Sequence, residues 1–476
     1  MTQCLVNCYI VTMTSWTPDL SRHDGPRYRA IADAIAADLH TGQLKPGDRL
    51  PTHRDLAYRL GVTVGTVTRA YAEAQRRGLL EGHVGRGSFL AGITRPVPSL
   101  PVSGLTMAEH EPSGMIELSL AFPPQATDEL LQRTLTELAR QPGVTRLLNY
   151  QPHAGMAHHR AAGAAWIGRH GLDVPADRVI VTAGAQHALC VVAGTLLKPG
   201  DLLLSEGLTY PGLRAVGELF KLRLKGLPLD DGGIIPEALE SICRTEAPRG
   251  LYCMPGLQNP TGAVMPAERR QAIAAILRRY GVFLIEDDIY GFLGDTLPPL
   301  SAALPELGHY LVGTSKSMGP GLRIGFLVTP PGPNTQYVAT LRATTWMAPP
   351  LLAEIACRWI TDGTAARMVE TQRRSSTERQ ILARRLLADF DYRAHPQSFY
   401  GMLHLPAPWR ASDFVAAGAR RGLRLRAAET FAVEQAPPEA IRICICAVET
   451  TDILTTGLER IVELLREGPA ADNLVV

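Results

Sequence analysis

Thr314-Ser315-Lys316-Ser317-Met318-Gly319-Pro320-Gly321-Leu322-Arg323 is the stretch on which the reading of this chain turns. Two earlier stretches belong with it, Gln258-Asn259-Pro260-Thr261-Gly262 and Glu286-Asp287-Asp288-Ile289-Tyr290. A lysine that forms a Schiff base with pyridoxal phosphate needs a carboxylate for the pyridinium nitrogen, a donor to the ring oxygen and an arginine for the phosphate. Asp287, Asn259 with Tyr290, and Arg323 meet these needs in a suitable order, which makes Lys316 the candidate Schiff-base residue.

Working outward, short apolar runs alternate with amphipathic stretches. Val179–Thr182, 201–204, Gly250–Cys253, 282–285 and 326–328 read as buried strands, and 268–280 as a helix between two of them. That alternation predicts an α/β fold with a mostly parallel central sheet covered on both faces. Ligands in such folds bind beyond the carboxyl ends of the strands, where the distinctive residues fall. Gly184-Ala185-Gln186 opens a helix whose first amides can hold a phosphate, with the Gln186 side chain added. Tyr210, in a turn after the next strand, can stack on a flat ring or simply pack. Ser315 and Arg323 can clamp the phosphate, the arginine in bidentate fashion. Lys316, once displaced, is the obvious base for proton transfer, with Asp287 and Tyr290 beside it in the catalytic set.

The front of the chain has a different pattern. Ile31, Ile35 and Leu39 recur four apart, giving a first helix that Gly42 ends. Thr52 caps a second helix, with Leu56 and Leu60 inward, and Thr63 caps a third running to Gly78. Leu79-Leu80-Glu81 and Ser88-Phe89-Leu90 flank a glycine-rich tip, Gly82–Gly87, and read as a hairpin. Two short helices joined by a glycine turn and followed by a hairpin predict a winged helix-turn-helix for double-stranded DNA. Arg76 and Arg77 read as solvated helix-end charges that complement the dipole.

The chain divides by composition into an N-terminal extension (1–25), this module (26–92), a proline- and glycine-bearing linker (93–114) and a large domain (115–476). At 476 residues, 46% hydrophobic and 20% charged, it is neither disordered nor membrane-spanning. Net charge is +2, but residues 26–92 alone carry +4, which fits a nucleic-acid partner as it also fits a solvated basic face. The eight cysteines show no zinc-ligand spacing and suit reduced thiols in a cytoplasm, so no metal site and no membrane contact are expected. The opening residues lack a signal peptide's features, and translation is read as beginning at Met1 or Met13.

The front module resembles the winged helix of GntR-type regulators in Gly47–Thr52, Arg54-Asp55-Leu56-Ala57, Leu60-Gly61-Val62, Thr66–Tyr71 and Gly78-Leu79-Leu80. The resemblance implies phosphate contact by Arg54, groove-facing Thr63, Thr66 and Arg69, and Arg86 reaching down from the wing. Gly65 departs from the family's bulkier polar residue, so fewer side chains reach base edges. The large domain resembles fold-type I pyridoxal-phosphate enzymes of the aspartate aminotransferase class, and the whole chain a MocR-type regulator. Under that resemblance Tyr150 reaches the phosphate of a partner subunit in a homodimer, and Arg442, in Ala440-Ile441-Arg442-Ile443, grips a substrate carboxylate. Gly313 stands where many relatives carry a phosphate-binding serine, and Thr314 is the available substitute.

The function this implies is a transcriptional regulator that senses an amino acid or amine by external aldimine formation at Lys316. The alternatives are an aminotransferase working between amino and 2-oxo acids, or a regulator sensing pyridoxal phosphate alone.

Overall fold

Ile31 and Ile35, one turn apart on the first helix, are fully buried against Leu56, Val67 and Tyr71. This cluster organises helices α1 (Arg27–Thr41), α2 (His53–Leu60) and α3 (Val64–Arg76) and the hairpin β1 (Leu80–His83) and β2 (Gly87–Leu90). The computed structural model describes residues 16–20, 25–45, 47–77, 79–83, 87–90, 114–121, 128–294, 297–433 and 437–469, and within it the chain divides into two units, Met1–Glu111 and Pro112–Val476.

In the first unit the caps fall where the sequence placed them. Thr52 accepts from the Asp55 amide and Thr63 from the Thr66 amide, satisfying donors that a helix start leaves without partners. Tyr71 donates to the Pro51 carbonyl at 2.8 Å, tying α3 to the turn before α2. The hairpin pairs further toward its tip than expected, with His83 opposite Gly87. Arg76 and Arg77 are not merely solvated: both pair with Glu73 one turn back, and Arg77 also with Asp33 of α1. Met13 and most of the linker lie outside the described residues.

The second unit is built on seven strands: β3 (Val179–Thr182), β4 (Leu202–Glu206), β5 (Arg223–Leu227), β6 (Gly250–Cys253), β7 (Phe283–Asp287), β8 (Gly308–Gly313) and β9 (Gly325–Val328). Their spatial order is β3-β9-β8-β7-β6-β4-β5, and only β9 runs antiparallel to its neighbours. All of these strands but the edge strand β5 are buried on both faces, which explains their continuous apolar runs. The sequence reading missed β5, whose Arg-Leu-Lys-Gly-Leu mixes charge into a sheet edge, and β8, which opens on Gly-His. Helices α4 (Ala157–Gly168), α5 (Ala185–Leu196), α6 (Ala267–Tyr280) and α7 (Pro350–Thr361) pack around it. A smaller sheet of β10 (Tyr392–Arg393), β11 (Tyr400–His404), β12 (Arg426–Ala427) and β13 (Ala440–Cys444) is ordered β10-β11-β13-β12.

Register sets the edge that matters. Asp287 pairs with Leu311, Gly313 with Gly325, and Gly325 with Thr182. The last residues of the parallel strands and the first residue of β9 therefore share one edge. At Gly325 a Cβ would lie 2.7 Å from the Gly184 backbone, so no side chain fits where β9 meets the turn into α5.

Phe326, fully buried on β9, lies so close to α4 that a Cβ on Gly163 would fall 2.5 Å from its ring. Phe326→Ala is expected to cost about 3–5 kcal/mol, because so tightly framed a cavity cannot collapse. Urea unfolding followed by tryptophan fluorescence measures it; a change under about 1 kcal/mol would contradict this packing.

Candidate functional site

Strand ends deliver the site residues in turn. After β3 come Gly184, Ala185 and Gln186; after β4, Tyr210; after β6, Asn259; at the end of β7, Asp287; after β8, Ser315 and Lys316; before β9, Arg323. Gly184 has φ +94° and sits as the cap of α5, leaving the first amides of that helix at the sheet edge. A Cβ on Gly184 would come within 2.9 Å of the Arg323 Nη2, so that guanidinium lies directly over the helix start. Arg323 itself has φ +51°, a left-handed conformation that costs an ordinary residue about 1 kcal/mol or more and aims the side chain there. Helix amides, a guanidinium and the buried Ser315 form an anion-binding donor set.

Asp287 is buried, and its carboxyl is pushed up to about 6 by that burial. The groups that act on it are Tyr252, the Ile289 amide and Asp288, none of them cationic. Tyr252 donates to Oδ2 at 2.8 Å and the Ile289 amide to Oδ1 at 3.3 Å. A buried carboxylate without a cation fits a ligand that brings its own positive charge, as a pyridinium nitrogen does. Sequence reasoning missed Tyr252; its signal is a polar-tipped aromatic in an otherwise aliphatic buried strand.

Lys316 Nζ donates to the Ala121 carbonyl at 2.8 Å and lies 6.0 Å from the centre of the Tyr290 ring. Burial lowers its pKa, favouring the neutral, nucleophilic amine. Arg442 stands on β13 between the Phe431 and Tyr400 rings, 4.6 and 5.4 Å from their centres. Its Nη1 donates to Asn259 Oδ1 and its Nη2 to the Ser119 carbonyl, both at 2.6 Å, while its buried Nε has no partner among the described residues. With Oδ1 taken, the Asn259 side chain presents its amide nitrogen as donor. Gln186 Nε2 donates to the Gly212 carbonyl at 3.1 Å, and its buried Oε1 has no partner among the described residues. The Tyr210 ring lies against Gly212, where a Cβ would be 2.2 Å from it.

Two details depart from expectation. Thr314 cannot stand in for a phosphate-binding serine: it is fully buried and donates to the Ile324 carbonyl at 3.0 Å. Gly313 lies 3.3 Å, measured from an added Cβ, from the Ala185 methyl, so a serine there would press on the start of α5. Residues 118–121 were not read as part of the site, yet their carbonyls receive both Lys316 and Arg442. Backbone carbonyls leave no mark in a sequence. Tyr150 is 82% exposed and packs on Trp346, with ring centres 5.9 Å apart, rather than on its own chain's strand ends.

In the first unit Arg54 and Arg69 are exposed, Arg69 lying 4.6 Å over the Tyr28 ring. The Thr63 and Thr66 hydroxyls are 2.9 Å apart and partly engaged with each other. Arg86 lies outside the described residues.

Residues 114–461 match the model of the aminotransferase class I and II family, and residues 27–90 that of the gntR family of bacterial regulatory proteins. The uncharacterized HTH-type transcriptional regulator YdeF of Bacillus subtilis is 30% identical, over 93% of this chain and 95% of its own. The probable rhizopine catabolism regulatory protein MocR of Rhizobium meliloti is 28% identical over 77% and 79%. Pyrococcus horikoshii kynurenine aminotransferase shares the fold of the second unit, with a TM-score of 0.70 and 22% identity over 76% of this chain and 92% of that one. Among the described residues no helix is long and apolar enough to cross a membrane.

Asp287 sets a pH dependence. Its proton is held to about 6 in the folded chain against an ordinary 3.8. The stability it contributes is therefore fully present below 3.8 and is lost as pH rises to about 6. Asp287→Asn removes that loss, so in cofactor-free protein the variant gains on the wild type by about 3 kcal/mol between these limits and by nothing further above them. Denaturant midpoints measured along this pH range test it; parallel profiles would show that the carboxyl is not buried uncompensated.

Proposed function

The chain belongs to the aminotransferase class I and II family and carries a gntR-family DNA-binding region in front, the arrangement of MocR-type regulators; on that premise we propose that it is a transcriptional regulator whose second unit uses pyridoxal phosphate to sense an amino acid or amine. Pyridoxal phosphate, when bound, supplies an aldehyde that links reversibly to amines and a ring that withdraws electrons from them. The chain's own residues do the rest.

The α5 amides of Gly184, Ala185 and Gln186, with Ser315 and Arg323, bind the phosphate. Asp287, oriented by Tyr252, holds the proton on the ring nitrogen. Asn259 and Tyr290 orient the ring oxygen, and Tyr210 covers a ring face and excludes water. Lys316 supplies the amine that a ligand amine replaces, and Arg442 receives the ligand carboxylate. Tyr150, exposed within one chain, completes the phosphate site of a second subunit in a homodimer.

One observation carries the coupling to DNA. Lys316 and Arg442, the two groups that a ligand must engage, both donate to carbonyls of the Ser119–Ala121 segment. That segment begins five residues beyond the linker, just after the short strand Ile116–Glu117. A ligand that takes over both groups withdraws two hydrogen bonds from it, each worth about 1 kcal/mol or more because the donors are charged or buried. Such a ligand has the differential affinity for two arrangements that regulation requires. In the first unit Arg54 contacts phosphate, and Thr63, Thr66 and Arg69, with Arg86 from the wing, face the groove.

The site also holds every group needed for proton transfer at a ligand Cα, which supports turnover as a second reading. Full-length protein on the DNA upstream of its own gene separates the two. An amine that changes DNA mobility, an effect abolished in Lys316→Ala while DNA binding persists, supports the regulator. Steady exchange between amino and oxo acids at roughly 1 per second or faster, with no amine effect on DNA, supports the enzyme. A response to pyridoxal phosphate with none to any amine supports a sensor of the cofactor alone. Arg54→Ala is expected to weaken binding to all sequences alike and to lower the salt slope of log K by about 1; an unchanged slope would remove Arg54 from the phosphate contacts.

A further inference from the structure

A cluster outside the strand-end site brings together three side chains that no part of the proposed function uses. His158 and His159 are the second and third residues of α4, and Glu354 stands on α7, nearly two hundred residues later in the sequence. His158 Nε2 lies 2.7 Å and His159 Nε2 3.1 Å from the same oxygen, Glu354 Oε2. Each of the three atoms is within 4.8 Å of the others. Arg358, one turn along α7, donates from Nε to Glu354 Oε1 at 3.1 Å and fixes the carboxylate plane.

Two imidazole nitrogens and one carboxylate oxygen form a donor set for a borderline-soft divalent ion. In a tetrahedral site with bonds of 2.0–2.1 Å, neighbouring donor atoms stand about 3.3 Å apart. The observed contacts are a few tenths of an ångström shorter, as hydrogen bonds are, and small side-chain rotations open them. The cluster is graded in exposure: the side chain of His158 is 54% exposed, that of Glu354 14% and that of His159 2%. An ion therefore has a route in past His158, two anchored donors behind it and a fourth position for water.

We propose that His158, His159 and Glu354 form a binding site for one divalent transition-metal ion, zinc by its donor set, that clips α4 to α7. Binding requires both imidazoles neutral with the proton on Nδ1, so that each Nε2 lone pair faces the ion in place of the proton now shared with Glu354. The clip has a structural consequence close by. The segments that lead into α4 and α7 already meet there: His153 Nδ1 is 2.8 Å from the Trp346 carbonyl and the Gln151 amide 3.2 Å from Met347 Sδ. The exposed Tyr150 and Trp346 rings belong to the same two segments. A metal at the foot of both helices holds that exposed aromatic face in one shape.

The test uses full-length protein stripped with a chelator, titrated calorimetrically with zinc chloride, and loaded in parallel with cobalt(II) as a spectroscopic stand-in. The expected result is one equivalent of zinc, with visible cobalt bands of a four-coordinate nitrogen and oxygen site. His158→Ala, a half-exposed position whose loss leaves the fold intact, should weaken that equivalent at least tenfold or so and remove the cobalt bands. Glu354→Gln, which keeps the shape, should do the same. Zinc should raise the melting temperature of the wild type and of neither variant, while pyridoxal-phosphate absorbance stays the same in all three. Failure of the wild type to bind zinc, or a His158→Ala variant with wild-type stoichiometry and affinity, would overturn the site and leave a hydrogen-bonded triad.

Discussion

A carboxyl group buried at the end of a parallel strand must either meet a positive charge or keep its proton. Asp287 is in that position, held at about 6 by burial, with a phenol and an amide as its hydrogen-bond donors among the described residues. The rest of the second unit can be understood as the surroundings of that constraint. Parallel register places Asp287 one residue past the end of β6 and two residues short of the end of β8, the strands that Asn259 and Lys316 follow. The glycines at 184 and 325 allow β9 and the start of α5 to approach closely enough for Arg323 to cover the helix amides. A ligand with a cationic ring at one end and a phosphate at the other matches the charges this edge leaves exposed.

The same edge holds its own internal substitutes. The Ser119 and Ala121 carbonyls accept from Arg442 and Lys316, so each side chain has a partner within the chain. These contacts tie the segment Ser119–Ala121 to the site. Under the proposed function they are the point at which a ligand competes with the segment beyond the linker.

Much of this was legible in the sequence, for definite reasons. Fully buried parallel strands are continuous apolar runs, so β3 and β6 could be read to the residue; caps such as Thr52 and Thr63 have local chemistry, and the structure shows the bonds they predict. Motif residues fall at strand ends because that is where a parallel sheet has room for them. What escaped depends on contacts remote in sequence. Tyr252 finds Asp287 across adjacent strands, and His158 and His159 find Glu354 across the helix pair, while Ser119 and Ala121 act through backbone. Thr314 does not replace the missing serine for a similar reason: its hydroxyl is spent on the Ile324 carbonyl, ten residues on. Arg76 and Arg77 read as solvent charges because the Asp33 that pairs with Arg77 lies a whole helix away.

The central claim is a covalent linkage at one position, and reduction makes it permanent. Protein incubated with pyridoxal phosphate, treated with borohydride, digested and mapped by mass spectrometry should carry a phosphopyridoxyl group on Lys316, and its formation should be suppressed in Asp287→Ala. A peptide map in which Lys316 is unmodified, or in which surface lysines are labelled to the same extent, would contradict the account.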